Sequence, residues 1–267
     1  MNFTMNSAHA AEMDELLVLA RGIALKTGEL LNNRPHNFDV NNLTQKSSVR
    51  DFATHMDHES EKLIVSSLLA ARPDDGIIGE EGANRESRSG ITWIIDPIDG
   101  TVNYFYNLPG WNISIAAKDS QGVFLGIVYA PTINSLWYAS RGGGAFLNDR
   151  KIHCSHSEEL GASLIATGFS YDQSERVRQG QKIASLIPKV RDIRRNGAAA
   201  VDLCHVASGA VDGYFESGLK EWDLAAGGLI AREAGALVTG RNGEEAGEGM
   251  VIAAGPRLHE LLTLEIG

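Results

Sequence analysis

Cysteine is almost missing from this chain: Cys154 and Cys204 stand alone among 267 residues. Two isolated cysteines give neither a zinc-ligand spacing nor a disulfide framework, so a reducing, cytoplasmic setting is expected. Cys204, in Val201-Asp-Leu-Cys-His-Val-Ala, reads as a small buried hydrophobe. Long apolar runs are missing too. No segment reaches the ~18 uninterrupted apolar residues of a membrane span, so no membrane role is expected. Met1 to Ala11 lack the basic start and apolar run of a signal peptide and read as a frayed polar tail. Basic charge is in deficit. A net charge of −10 argues against direct nucleic-acid binding. Repeats, low-complexity tracts and Pro-rich linkers are also absent. Hydrophobic content of 43% is enough for a large core, so 1–267 reads as one globular unit. A divide is expected at Ser155 to Ala162, between an N-terminal lobe of about 12–155 and a C-terminal lobe of about 163–267.

What the chain does have is carboxylates in telling places. Trp93-Ile-Ile-Asp-Pro-Ile-Asp-Gly-Thr101 opens on an apolar strand end and continues with Asp96, Pro97 and Asp99. Pro97 lacks the N–H that a central strand needs, so a turn is expected there. Two acids at one strand end repel unless a cation sits between them, and hard oxygen ligands suit Mg²⁺ or Mn²⁺. Gly100 and Thr101 add backbone N–H groups and a hydroxyl for a phosphate or a water. Taken alone, an Asp-Pro turn with a capping Asp explains the segment equally well. Three further segments shift the balance. Gly76-Ile-Ile-Gly-Glu80-Glu81-Gly82 places two glutamates after a short apolar run. Asp51-Phe-Ala-Thr54-His-Met-Asp57 carries Thr54 and Asp57 into a helix, and Asp223 starts another. Helix capping or a solvated loop explains each by itself, but not all four in this order.

The four together resemble the inositol monophosphatase family of Mg²⁺-dependent, lithium-sensitive phosphatases, over about Leu17 to Pro256. Trp93 to Asn103 looks like the family's first signature and Trp222 to Gly235 like its second. Gly79-Glu80-Glu81 matches the glutamate signature, and Lys46-Ser47-Ser48 and Gly197 to Leu203 also fit. The wording looks closest to bacterial members. The resemblance implies an α+β fold, an αβαβα sandwich of two sheets, and hydrolysis of inositol 1-phosphate by metal-activated water. It implies two to three Mg²⁺ ions, with Mn²⁺ possible. Glu80, Asp96 and the Ile98 carbonyl would hold one ion. Asp96, Asp99 and Asp223 would hold a second, with lithium competing there, and a third, weaker ion is expected near Glu80. Asp57 and Thr101, with Glu80, match the residues that activate the water. Asp99, Gly100, Thr101, Gly197, Ala199 and Glu216 match the substrate contacts. Position 198 is Ala where some relatives carry Thr or Ser. The family also favours a homodimer.

Related enzymes act on histidinol phosphate or fructose 1,6-bisphosphate, so these stand as alternative substrates. A regulatory role in a transcription or RNA-maturation complex is a further alternative, and it would need a protein partner. Arg194 and Arg195 precede Gly197 and could approach the substrate, pair across an interface or form a solvated cluster. His55, His58, His153 and His156 lack further Cys partners and read as surface or hydrogen-bonded groups.

Periodicity predicts helices over Glu12–Leu31, which ends before Pro35, and over Asp57–Ala71. Further helices are expected at Ser174–Leu186, Ala198–Ser208 and Leu224–Ala234, with one or two turns at His259–Leu264. Strands are predicted over Trp111–Ala117, Gly122–Tyr129, Ser135–Ser140, Gly144–Leu147, Leu164–Phe169, Val211–Glu216, Ala236–Thr239 and Met250–Ala254. Helices, then strands, then mixed elements point to layered α+β packing.

Overall fold

Alternation along the strands sorts the apolar residues into three separate cores. A computed structural model describes residues 7–33 and 46–266, with side chains over 12–33 and 55–266. The first sheet contains β1 (Gly76–Gly79), β2 (Asn84–Arg85), β3 (Thr92–Asp99), β4 (Asn112–Asp119), β5 (Gly122–Ala130), β6 (Ser135–Ser140), β7 (Gly144–Leu147) and β8 (Arg150–Ile152). Its order is β2-β1-β3-β4-β5-β6-β7-β8, and only β1 and β3 run parallel. The second sheet contains β9 (Leu164–Thr167), β10 (Asp192–Arg194), β11 (Gly213–Glu216), β12 (Leu237–Thr239) and β13 (Val251–Ala254), ordered β10-β9-β11-β13-β12.

Trp93 and Ile95 of β3 face one side, where α1 (Ser7–Asn32) and α2 (Lys46–Ala71) cover them. Ile94 faces the other side, toward α5 (Ala199–Ala207) and α6 (Glu221–Glu233). In the second sheet Tyr214 and Ala253 face α5 and α6. Phe215 and Ile252 face the outer helix α7 (Pro256–Ile266), with α4 (Gln173–Leu186) beside it. The period of two therefore generates five layers, α/β/α/β/α. Alanine and glycine dominate the middle helix pair, which lets α5 and α6 approach each other and both sheets closely. A Cβ on Gly126 would lie 2.9 Å from the Ala226 carbonyl oxygen.

Several expectations change on contact with the structure. The chain does not turn at Pro97: β3 runs on to Asp99. Asp96 pairs with Ser114 and Asp99 with Asn112, so one extra residue bulges out between them. On the other edge, the β1 ladder stops at Ile95, so Pro97 faces no partner that needs its N–H. α2 begins at Lys46 rather than Asp57, and α7 fills Pro256–Ile266 rather than a turn or two. β8, β10 and the short helix α3 (Thr101–Tyr106) carry too few alternating apolar residues to stand out in the sequence. Pro35 and Met1–Asn6 of the expected tail lie outside the described residues. Both cysteines are buried and free. No helix among the described residues is long and apolar enough to cross a membrane.

A buried polar cluster pins the starts of the strands that lead to the acids. Asp75 is 1% exposed. It accepts hydrogen bonds from Trp93 Nε1 at 2.9 Å, Ser89 Oγ at 2.6 Å and Arg72 Nε at 3.1 Å. Asp75→Ala leaves the Trp93 indole N–H without a buried partner. It is expected to cost about 1–3 kcal/mol and a few degrees of Tm, read by thermal denaturation. An unchanged Tm would show the cluster to be dispensable.

Candidate active site

Parallel pairing places the first two acids side by side. Gly79 lies opposite Ile95 in the last pair of the β1–β3 ladder, so the next residues, Glu80 and Asp96, stand side by side just beyond it. The bulge at Pro97 then returns Asp99 to the same end of β3. Asp223 sits in the first turn of α6, where one of its oxygens accepts the Lys220 N–H at 2.6 Å. The capping role is therefore real, and it leaves the carboxylate facing the other acids. One oxygen each from Asp96, Asp99 and Asp223 lie within 4.8 Å of one another. Among the described residues no histidine joins this group; His58 Nδ1 instead lies 3.2 Å from Glu81.

These acids line a cavity of about 190 Å³, together with Ile98, Gly100, Thr101, Gly197, Ala199 and Glu216. Of the residues matched to metal, catalytic or substrate roles, Asp57 alone lies outside this lining; Glu81 and Arg194, which carried no such role, lie outside it too. Asp57 is 5% exposed on α2, close enough to Glu81, Glu80 and Glu61 to feel their charge, and its Oδ1 has no hydrogen-bond partner among the described residues. The side chain of Thr54 lies outside the described residues. The Thr101 hydroxyl donates to the Ile98 carbonyl at 3.1 Å. Gly100 precedes α3 with φ of 83°, and a Cβ there would come within 3.0 Å of Ala198 Cβ. This is a left-handed residue at a close approach, which only glycine fills without strain.

Several contributors were not legible as such. Asp99 accepts Asn112 Nδ2 at 2.8 Å and the N–H groups of Ala199 and Ala200 at 3.2 and 2.8 Å, so it caps α5 from across the molecule. Tyr214, fully buried, donates its hydroxyl to Glu216 Oε2 at 2.6 Å. Gly168 packs against the same carboxylate, where a Cβ would collide at 1.9 Å. Asp202 also lines the cavity, with Asn196 donating to it at 2.6 Å. Arg195 is the one cation among the described lining residues, while Arg194 pairs with Asp192.

Loss of water, followed by mutual repulsion, raises the carboxyl groups. Asp57 is pushed from 3.8 up to about 8, by burial first and then by Glu81, Glu80 and Glu61. Asp99 rises to about 7, by burial and by Asp223, against the hydrogen bonds from Asn112 and Ala200. Asp96, 2% exposed, is held well above the usual range by burial and then by Glu80, Asp99 and Asp223. Glu80 moves up as well, by desolvation of its carboxyl group first, although one edge of the residue stays open to the cavity; its hydrogen bond with Asp96 opposes the shift. Without a cation the cluster holds protons. All-oxygen donors, crowded acids and an orphaned buried oxygen together fit a divalent metal.

A family model for the inositol monophosphatase family matches residues 12–266. The chain is 40% identical to a Nus factor SuhB of Pasteurella multocida over 250 residues, covering 92% of this chain and 93% of that one. It is also 40% identical to an inositol-1-monophosphatase of Mycobacterium leprae over 228 residues, covering 81% and 78%. A crystal structure of the extragenic suppressor protein suhB from Bartonella henselae superimposes with a TM-score of 0.83 at 31% identity, covering 94% of this chain and 99% of that one. The chain belongs to the inositol monophosphatase family.

The raised carboxyl groups give the metal-free protein a definite pH response. Folded acids that titrate near 7 to 8 bind protons more tightly than the unfolded chain, where they titrate near 4. Stability is then fully present below the unfolded values and is lost as pH rises through the folded ones. In EDTA, Tm is expected to fall between about pH 5 and about pH 8. Mg²⁺ should raise Tm more at the upper end, where it meets ionised ligands. A pH-independent Tm with no metal effect would contradict this.

Proposed function

We propose that this protein is a Mg²⁺-dependent phosphomonoesterase whose leading substrate is inositol 1-phosphate. The observation that carries this reading is the convergence of Asp96, Asp99 and Asp223 in one polar cavity. Glu80, Asp96 and the Ile98 carbonyl would hold one Mg²⁺ or Mn²⁺. Asp96, Asp99 and Asp223 would hold a second, with a third, weaker ion near Glu80. Bound there, the cations supply charge neutralisation for the phosphoryl group and activation of a water.

The chain's own residues do the rest. Asp57, whose Oδ1 has no partner among the described residues, would accept a proton relayed from water through Thr101. That relay requires the Thr101 hydroxyl to turn from the Ile98 carbonyl, which a metal would claim. Gly100 and Thr101 offer N–H groups at the start of α3, a natural anion site. Tyr214 occupies Glu216 Oε2 and leaves Oε1 to accept from a polyol hydroxyl. The Ala199 N–H is already given to Asp99, so any contact from this residue is through its methyl group or carbonyl. Gly197 completes the same wall. Positioning and charge stabilisation account for the catalysis, with no covalent phosphoenzyme.

Phosphate release should require Mg²⁺ and stop in EDTA. It should be strongest on inositol 1-phosphate among a panel with histidinol phosphate, fructose 1,6-bisphosphate and glycerol 2-phosphate. Asp96→Asn should lower kcat by about 10³-fold or more. Full turnover in that variant would refute the metal assignment, and strongest turnover on another phosphate would change the substrate. LiCl, against a KCl control, is expected to inhibit.

A second reading rests on the relative named Nus factor SuhB. A binding role in a transcription complex, with or without catalysis, would survive Asp96→Asn. Pull-down of transcription factors with that variant tests it, and loss of capture in the folded variant would count against a separate scaffold role.

A further inference from the structure

Asp202 is the one carboxylate of the cavity wall that neither the metal assignment nor the Glu216 contact uses. It sits in the first turn of α5 and is 1% exposed. Its Oδ1 accepts a hydrogen bond from Asn196 Nδ2 at 2.6 Å. Asn196 is itself tied down, because its carbonyl accepts Asn103 Nδ2 at 2.8 Å. Asp202 Oδ2 accepts nothing among the described residues. It is not walled in as Asp57 Oδ1 is, and it keeps surface at the cavity. Holding Asn196 takes one oxygen, which an asparagine would supply without a charge. A buried carboxylate with an idle oxygen is costly unless a donor reaches it, and the open path here is the cavity. Glu216 and Arg195 line the same cavity. Burial lifts the Asp202 carboxyl to about 8; the hydrogen bond from Asn196 opposes this, Glu216 adds to it and Arg195 opposes it again. Burial raises Glu216 too, against Tyr214 and Arg195. The three groups are therefore neighbours on one wall.

We propose that Asp202 Oδ2 accepts a second hydroxyl of the substrate, beside the one that Glu216 Oε1 takes, which makes Asp202 a specificity-determining residue. This rests on the phosphomonoesterase reading of the cavity and adds to it a contact with the alcohol half. A hydroxyl that meets Oδ2 displaces no existing bond, since Oδ1 stays with Asn196. Asn196, fixed from behind by Asn103, sets the plane of the carboxylate, so the acceptor is preorganised. The substrate class is an alcohol phosphate with at least two free hydroxyls on its alcohol half. An alcohol with one or none leaves a buried acceptor unpaired, and that penalty is what discriminates.

The test uses the full chain with Mg²⁺. Asp202→Asn keeps an oxygen for Asn196 and puts at Oδ2 an NH₂ group, which cannot accept. KM for inositol 1-phosphate should rise about tenfold, while kcat and the Mg²⁺ concentration for half-maximal rate stay within about twofold and Tm is unchanged. Phenyl phosphate brings no hydroxyl to the wall. Its KM, or its inhibition constant against inositol 1-phosphate, should be the same in both proteins. An unchanged KM for inositol 1-phosphate overturns the proposal and leaves the phosphatase reading standing. A rise shared by phenyl phosphate, or accompanied by a lower Tm or a weaker Mg²⁺ response, shows a structural role and overturns it too. A wild-type chain inert on inositol 1-phosphate sinks the phosphatase reading and this proposal with it. Single-deoxy analogues of inositol 1-phosphate give a measure on the wild-type chain that does not depend on the variant folding. At least two of them should lose about tenfold in KM, and fewer than two contradicts a wall that reads two hydroxyls.

Discussion

Repulsion among crowded carboxylates, two of them buried, is the constraint around which this molecule is organised. Glu80, Asp99 and Asp223 are close enough to raise Asp96's affinity for protons, and Asp223 and Glu80 raise that of Asp99. Burying like charges is among the most costly arrangements a fold can hold. It persists here because separate elements force it. The parallel β1–β3 ladder stops at Gly79 and Ile95, just before Glu80 and Asp96, a bulge at Pro97 sets Asp99 at the end of β3, and α6 brings its first turn to the group. A site that is strained when empty is preorganised when a cation neutralises it.

The surrounding scaffold resists relaxation of that strain. The acids stand at the boundary between the first sheet and the α5–α6 layer, where Gly126 and Gly227 leave no room for a Cβ against Ala226 and Leu203. Asp99 couples the parts directly, because its oxygens cap α5 while Asn112 of β4 holds one of them. One residue thus joins the strand that carries the acidic cluster to the helix that carries one cavity wall. On the opposite wall, Tyr214 and Gly168 fix Glu216 from below. Asp96, Asp99 and Asp223 stand on β3 and α6, while loops at 168–171 and 217–219 complete the cavity wall.

Much of this was legible in the sequence, for reasons that are local. Apolar runs along Gly122–Tyr129 and Ser135–Ser140 identify strands, which the structure buries almost throughout, and 3.6-residue spacing identifies α4 to α6. The acids were visible because each sits at the edge of an apolar run. Pro97 misled because its effect depends on where β1 stops, which no local rule reveals. Asn112, Ala200 and Tyr214 were invisible for a related reason. The partners of Asp99 lie 13 and 101 positions away, and a tyrosine inside a strand reads as core until its hydroxyl is seen to meet Glu216.

The central claim, that the crowded acids form a divalent metal centre, is tested most directly by anomalous diffraction from crystals grown with Mn²⁺. The account predicts one peak enclosed by Asp96, Asp99 and Asp223, and another flanked by Glu80, Asp96 and the Ile98 carbonyl. Crystals with Mn²⁺ bound elsewhere and none among these carboxylates would contradict it.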